Sequence, residues 1–249
     1  MTGLVLLLGL ALLVDFGSAA YAEYRVSREL RTQLKLTADP SVRANGFPFL
    51  TQAAVGDYSA VDVRAEGVGV PRLGEVTVEG TLRGVRLPPS QVVSGTITDV
   101  VADSVDARVR VGATTLGRFL GIPDLEVSTP PRKDGTPAPA GQSQVVLTGT
   151  VQLLGIARKV SIDAGLSLKG GVVQITATGL DLGASSGSSA LAESVVNALL
   201  SRLSVTVAPA ALPFGLLPTA VRVEGSEIVV AGTGTDVVIV GPGTRTAGR

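Results

Sequence analysis

Histidine, cysteine and tryptophan are all missing from this 249-residue chain, and aromatic residues make up only 3 % of it. Without histidine there is no imidazole to serve as general base near neutral pH, and the commonest transition-metal ligand is gone. Without cysteine there is no disulfide framework, no thiolate nucleophile and no thiolate metal site. Net charge is missing as well, since 21 Lys plus Arg balance 21 Asp plus Glu. Nothing in that balance favours nucleic acid or strong attraction to an anionic bilayer. For metal chemistry only carboxylates and a hard cation remain, and no cofactor is implied.

What is present is apolar and small. Hydrophobic residues reach 45 %, mostly Val, Leu and Ala, with one Met and five Phe. Such side chains fill narrow spaces or leave wide ones open. The length suits one large all-β-like domain or two smaller ones. Residues 3–14, GLVLLLGLALLV, are unbroken apolar residues ended by Asp15. As helix they cover only about 18 Å, against a hydrocarbon core of roughly 30 Å. The run suits the apolar part of a signal peptide, and Ala20-Tyr21-Ala22 offers a small-x-small cleavage pattern before Glu23. Two features oppose simple cleavage. No Lys or Arg precedes the run, and Arg25, Arg28, Arg31 and Lys35 follow it, against the positive-inside bias. The alternative is an uncleaved anchor continuing through Phe16 and Ala19 to Ala22, with Asp15 near one interface. Export, cleaved or anchored, is favoured over a cytosolic protein with a buried first helix. The expected division is a signal peptide or anchor over 1–22, one domain over 23–240, and a flexible tail over 241–249.

Glu23 to Leu36 reads as an amphipathic helix, with Val26, Leu30 and Leu34 four apart. The period then changes. Val61, Val63 and Ala65 alternate with Asp62, Arg64 and Glu66, and Val76 and Val78 with Glu75, Thr77 and Glu79. Val105, Ala107, Val109 and Val111, then Val160, Ile162, Ala164, Leu166 and Leu168, follow the same rule. Alternation of this kind predicts antiparallel strands with one covered face rather than the doubly covered strands of a parallel fold. TTLGRFL, residues 114–120, predicts a short helix ended by Gly121 and Pro123, with Leu116, Phe119 and Leu120 on its apolar side. Residues 128–143 hold four prolines and almost no large apolar residue, which predicts a mobile loop. Strand pattern resumes over 144–182, a second helix is predicted over 190–203, and VRVEG and EIVVAG read as closing strands.

Few residues could carry chemistry. Gly183-Ala184-Ser185-Ser186-Gly187 fits the G-x-S-x-G pattern, but Ser185 has no histidine to take its proton. The stretch reads better as a turn leading into the next helix. Lysine does not replace the missing base: Lys35, Lys133, Lys159 and Lys169 stand in no S-x-x-K pattern. Asp62 and Glu66 fall on a polar strand face beside Arg64, where solvated surface is the ordinary reading. Two apolar oddities stand out instead. NGFPFLTQ, residues 45–52, flanks Pro48 with Phe47 and Phe49 and continues with Leu50. ALPFGLLP, residues 211–218, presents Leu212, Phe214, Leu216 and Leu217, which either cap the core or form an exposed contact patch for lipid.

The apolar leader running into a helix with Glu23 and Arg28, then NGFPFLTQ, VGDYSAVDV and ALPFGLLP, resembles the LmeA-like phospholipid-binding proteins of actinobacterial cell envelopes. Residues 46–52, GFPFLTQ, are the most specific part, and the resemblance covers nearly the whole chain. It implies an α+β, tubular lipid-binding fold similar to the bactericidal/permeability-increasing proteins, with a long coiled antiparallel β-sheet wrapped around a long helix. It also implies binding of phospholipid, including phosphatidylinositol-type lipids, at a membrane surface, and a link to mannolipid assembly. On that reading Phe47, Pro48, Phe49, Leu50, Leu116, Phe119, Leu120, Leu212, Phe214 and Leu217 are the candidate lipid-contact residues. Phe47 and Phe49 either close or line the mouth of an apolar tube or anchor the first helix onto the sheet. The expected function is non-catalytic lipid holding or carriage in the envelope. The alternatives are a structural envelope protein with a solid core, or a carboxylate-dependent enzyme acting on glycolipid.

Overall fold

The structure, a computed structural model, describes residues 2–71, 73–94, 99–130, 142–153, 156–181, 205–207, 212 and 215–240. In chain order the elements are α1 (Thr2–Leu34), β1 (Ser41–Asn45), α2 (Phe49–Val55), β2 (Asp57–Val70), β3 (Gly74–Arg86), α3 (Pro89–Ser94), β4 (Asp99–Gly112) and α4 (Ala113–Leu120). They continue with β5 (Glu126–Ser128), β6 (Gln142–Leu153), β7 (Ile156–Lys169), β8 (Val172–Asp181), β9 (Val205–Val207), β10 (Ala220–Glu224) and β11 (Glu227–Val240). The α+β class expected from the sequence is what the structure shows: a long N-terminal helix with two sheets. Their strand orders are β1-β2-β3-β4-β11-β10 and β5-β6-β7-β8-β9. The chain divides into two compact units, one of residues 1–68, 77–107 and 233–249, the other of residues 69–76 and 108–232.

In the first unit the apolar leader and the helix expected from Glu23 are one uninterrupted helix, α1. No proline lies between them, and Gly17 alone costs a helix only about 1 kcal/mol relative to alanine. The helix docks through one row of residues eight and four apart. The Asp15 carboxylate accepts from α2, the Glu23 carboxylate accepts from the Ala44 N–H of β1 at 2.8 Å, and the Ser27 hydroxyl donates to the Pro40 carbonyl at 2.5 Å. Ser41 to Asn45 of β1 pair antiparallel with Arg64 to Ala60 of β2. Phe49, Tyr58, Ala65, Leu82, Val85, Ala102 and Val105 form the buried core. The polar side of these strands carries ion pairs, including Arg64 with Glu79 at 2.7 Å and Arg86 with Asp103 at 2.7 Å.

The second unit is built on the β6–β7–β8 meander. Twelve residue pairs join β6 to β7, and the alternation predicted for residues 160–166 appears as buried Val160, Ile162, Ala164 and Leu166. Leu147 stands opposite Ile162, and Val145 opposite Ala164, so one face is a continuous apolar layer. The β7–β8 turn is Gly170-Gly171, both at positive φ, as a two-residue hairpin of matching twist requires. The helix expected at 114–120 is α4, closed by Gly121 in the left-handed conformation. Ile122, just after it, seats against Gly149 of β6, where an added Cβ would collide with the Ile122 side chain. Asp124 then fastens the same strand, accepting from the Thr150 N–H at 2.9 Å and the Thr150 hydroxyl at 2.6 Å.

Of the predicted loop 128–143, Ser128 closes β5 and Gln142 and Ser143 open β6, while residues 131–141 lie outside the described residues. The second helix predicted over 190–203, the G-x-S-x-G stretch around Ser185 and the tail 241–249 also lie outside them.

Two outcomes check this packing. Gly149→Val is expected to destabilise by about 1–3 kcal/mol through overpacking against Ile122, read as a lowered denaturation midpoint at unchanged denaturant slope. The bonds from Thr150 hold the Asp124 carboxyl below its ordinary value. Their contribution is therefore complete above the usual aspartate range and is lost as pH falls through the lowered folded value. Chemical denaturation at pH 7 and pH 3 is expected to show a shallower acid loss for Asp124→Asn than for the unaltered chain.

Candidate functional site

The GFPFLTQ segment forms a tightly bonded corner whose polar residues serve its own backbone. Gly46 sits at a φ of 114°, and an added Cβ there would meet the Gln52 amide. Gln52 fills that space, donating to the Pro48 carbonyl at 3.3 Å and accepting from the Ser59 N–H at 2.8 Å, while the Thr51 hydroxyl donates to Pro48 at 3.0 Å. The Phe47–Pro48 peptide is cis. These bonds fix where the aromatic and aliphatic side chains point.

The two phenylalanines do opposite things. Phe49 is 5 % exposed, with its ring 6.1 Å from that of buried Tyr58. Burial pushes the Tyr58 hydroxyl above its ordinary pKa. Phe47 is 63 % exposed and stacks on Phe16 of α1, ring centres 6.2 Å apart. Pro48 and Leu50 are exposed beside it, and Val55, at the far end of α2, is 76 % exposed.

Asp15 ties this corner to α1. It is 5 % exposed, and its two oxygens accept from the Phe49 N–H at 2.9 Å and the Leu50 N–H at 2.8 Å. Those are the first two amides of α2, which have no partner within their own helix. Pro48, at the cap position, makes no side-chain cap bond. A carboxylate 34 residues upstream therefore does what an aspartate cap does locally, with the charge on the favourable side of the helix dipole.

α1 itself is apolar over its first part. The stretch Thr2–Thr32 contains an 18-residue window of mean hydropathy 2.1, of which 6 % is buried. From Tyr21 onward its outer side turns aromatic and basic: Arg25 donates to the Tyr21 hydroxyl at 3.4 Å and Arg28 to the Tyr24 hydroxyl at 2.8 Å, with Arg28 also 5.7 Å from the Tyr24 ring.

The remaining candidate residues belong to the second unit. Leu116 is buried on α4, while Phe119 is exposed and Leu120 half-buried. Leu212 is buried against Gly232 of β11, where an added Cβ would meet its side chain, and Leu217 is 71 % exposed. Phe214 lies outside the described residues. The structure thus brings residues 47–50 together with Phe16, and places the other candidates on α4 and on the segment before β10. Asp15 and Phe16 complete the corner although the sequence marked them only as the end of an apolar run and its continuation.

A groove of about 360 Å³ lies on the polar side of β1 to β3, lined by Ser41, Arg43, Asp62, Arg64, Glu79 and Thr81 among others. Its carboxylates are engaged. Asp62 accepts from Asn45 and from Thr81, each at 2.7 Å, and Arg64 bonds both Glu79 and Glu66. This is an ion-paired sheet face, as the sequence pattern suggested for Asp62 and Glu66. Among the described residues no cluster of three carboxylates is arranged to hold a metal ion.

The model of a protein family described as LmeA-like phospholipid-binding matches residues 13–233. No curated protein and no solved structure matches the chain.

Asp15→Ala leaves one buried and one part-buried amide without their partner and is expected to cost about 1–3 kcal/mol. Asp15→Asn keeps one carbonyl acceptor and is expected to fall between the two. Thermal unfolding of the three proteins in the same detergent checks the order.

Proposed function

The chain belongs to the LmeA-like phospholipid-binding family, and on that premise we propose that it is an exported, non-catalytic envelope protein that holds or carries phospholipid acyl chains in an apolar cavity. The family match over residues 13–233 carries this reading. The proposed lipids include phosphatidylinositol-type phospholipids, and the proposed setting is support of mannolipid, lipomannan-type, assembly at the outer side of the cytoplasmic membrane.

Physical chemistry supports the reading in two ways. Removing one acyl chain from a bilayer forfeits about 0.8 kcal/mol per CH₂, so a sixteen-carbon chain needs roughly 12 kcal/mol of equivalent apolar surroundings. Sheet faces of small branched side chains are suited to that, and Val61, Val63, Val78 and Val101 are only half-buried by the protein's own atoms. The proposed lipid-contact residues are Phe47, Pro48, Phe49 and Leu50 in the first unit and Leu116, Phe119, Leu120, Leu212, Phe214 and Leu217 in the second, of which Phe47, Pro48, Leu50, Phe119 and Leu217 are exposed.

Native mass spectrometry of the full chain, released from its own membrane and stripped of detergent, tests this. Retained phospholipid near one-to-one stoichiometry is expected, with inositol-type lipid enriched over its share of the membrane. A chain that comes through folded and lipid-free overturns the carrier reading and leaves a solid envelope scaffold. Replacing Asp57, Asp62 and Glu66 in turn is expected to leave lipid retention and mannolipid content unchanged, whereas loss of mannolipid with lipid binding intact would point to carboxylate chemistry.

A further inference from the structure

We propose that α1 is kept uncut as a membrane anchor, and that the uncharged end of the first unit, made by the Phe47 corner and α2, is seated in the same bilayer leaflet beside it. The starting point is Asp15. Cleavage after Ala22 would remove the partner of the first two α2 amides and the ring on which Phe47 stacks. It would also fall within an unbroken helix whose next residue, Glu23, is bonded to β1. The family match begins at residue 13 and so includes Asp15 with the folded part.

Length sets the depth. Twenty helical residues, Thr2 to Tyr21, span about 30 Å, the thickness of the hydrocarbon core. Tyr21 and Tyr24, bonded to Arg25 and Arg28, then stand where amphipathic rings and cations collect at a membrane interface. Asp15 lies six residues, about 9 Å, inward of Tyr21. A bare carboxylate at that depth is strongly disfavoured, and here α2 covers it.

The element that covers Asp15 must share its depth, and its chemistry agrees. Residues 45–56, NGFPFLTQAAVG, contain no charge, and neither do residues 87–94, LPPSQVVS, although Asp57 and Arg86 bound these runs. The two runs meet, with the Leu87 N–H donating to the Gly56 carbonyl at 2.9 Å. Thr51 and Gln52 spend their hydrogen bonds within the corner, as hydrocarbon surroundings demand. Exposed Phe47, Leu50 and Val55 are left facing outward. A lipid bilayer, continuous with the apolar part of α1, is the occupant these side chains fit.

The absence of tryptophan allows a direct test, because one introduced indole reports alone. Full-length Phe47→Trp, Val55→Trp and Glu66→Trp are placed in phosphatidylcholine/phosphatidylglycerol vesicles with brominated acyl chains. Blue-shifted emission and about three-fold or greater excess quenching are expected at 47 and 55 relative to 66, since the first two lie within the hydrocarbon depth. Equal quenching at all three positions overturns the seating. The intact mass of the protein from its own membrane is expected to include residues 1–22, and a chain starting at Glu23 overturns the anchor. Neither readout depends on whether the fold retains a lipid, so failure here and failure of the carrier reading are distinguishable.

Discussion

A carboxylate on the oily part of a helix cannot be left without partners, and the bonds that Asp15 accepts from Phe49 and Leu50 answer that constraint. They cap α2 from outside and fix α1 against the Phe47 corner. Glu23 and Ser27 extend the same row toward β1. The first unit therefore does not merely follow the helix in sequence; it is laced to it at three levels.

The second unit rests on a different rule. Its meander is one apolar layer of Val, Leu, Ile and Ala, held in register by a glycine-glycine turn and pinned by Ile122 and Asp124 at the β6 edge. Here glycine acts by absence: Gly149 and Gly232 are places where a neighbouring side chain takes the room a Cβ would need. The result is a sheet whose inner side chains are short and whose close contacts are local.

The sequence made the strands legible because period-two alternation is a local signal that burial on one face imposes. β2, β3, β4 and β7 lie where Val61, Val76, Val105 and Val160 begin their alternating rows. α4 was legible for the same kind of reason, a short apolar stripe ended by Gly121. The seven residues of α2 are too few for a period to declare itself, and the segment stood out only for its apolar residues around Pro48. The union of leader and first helix stayed open because composition cannot distinguish a cut segment from a continuous one. Asp15 read as the end of an apolar run or as an interfacial residue of an anchor, and not as a cap, since its partners lie 34 and 35 residues away and no local rule connects them. Phe47 and Phe49 could not be assigned to opposite sides from spacing, because that depends on how Gln52 folds over Gly46.

α1 runs from residue 2 to residue 34 with no hinge between its oily part and the part that carries the fold. A stiff mast of this kind transmits tilt and rotation, so a first unit moored by it would keep one fixed bearing toward the lipid surface. On the proposed anchoring and lipid carriage, cargo would be exchanged by neighbours drifting past in two dimensions, not by a courier crossing the aqueous gap.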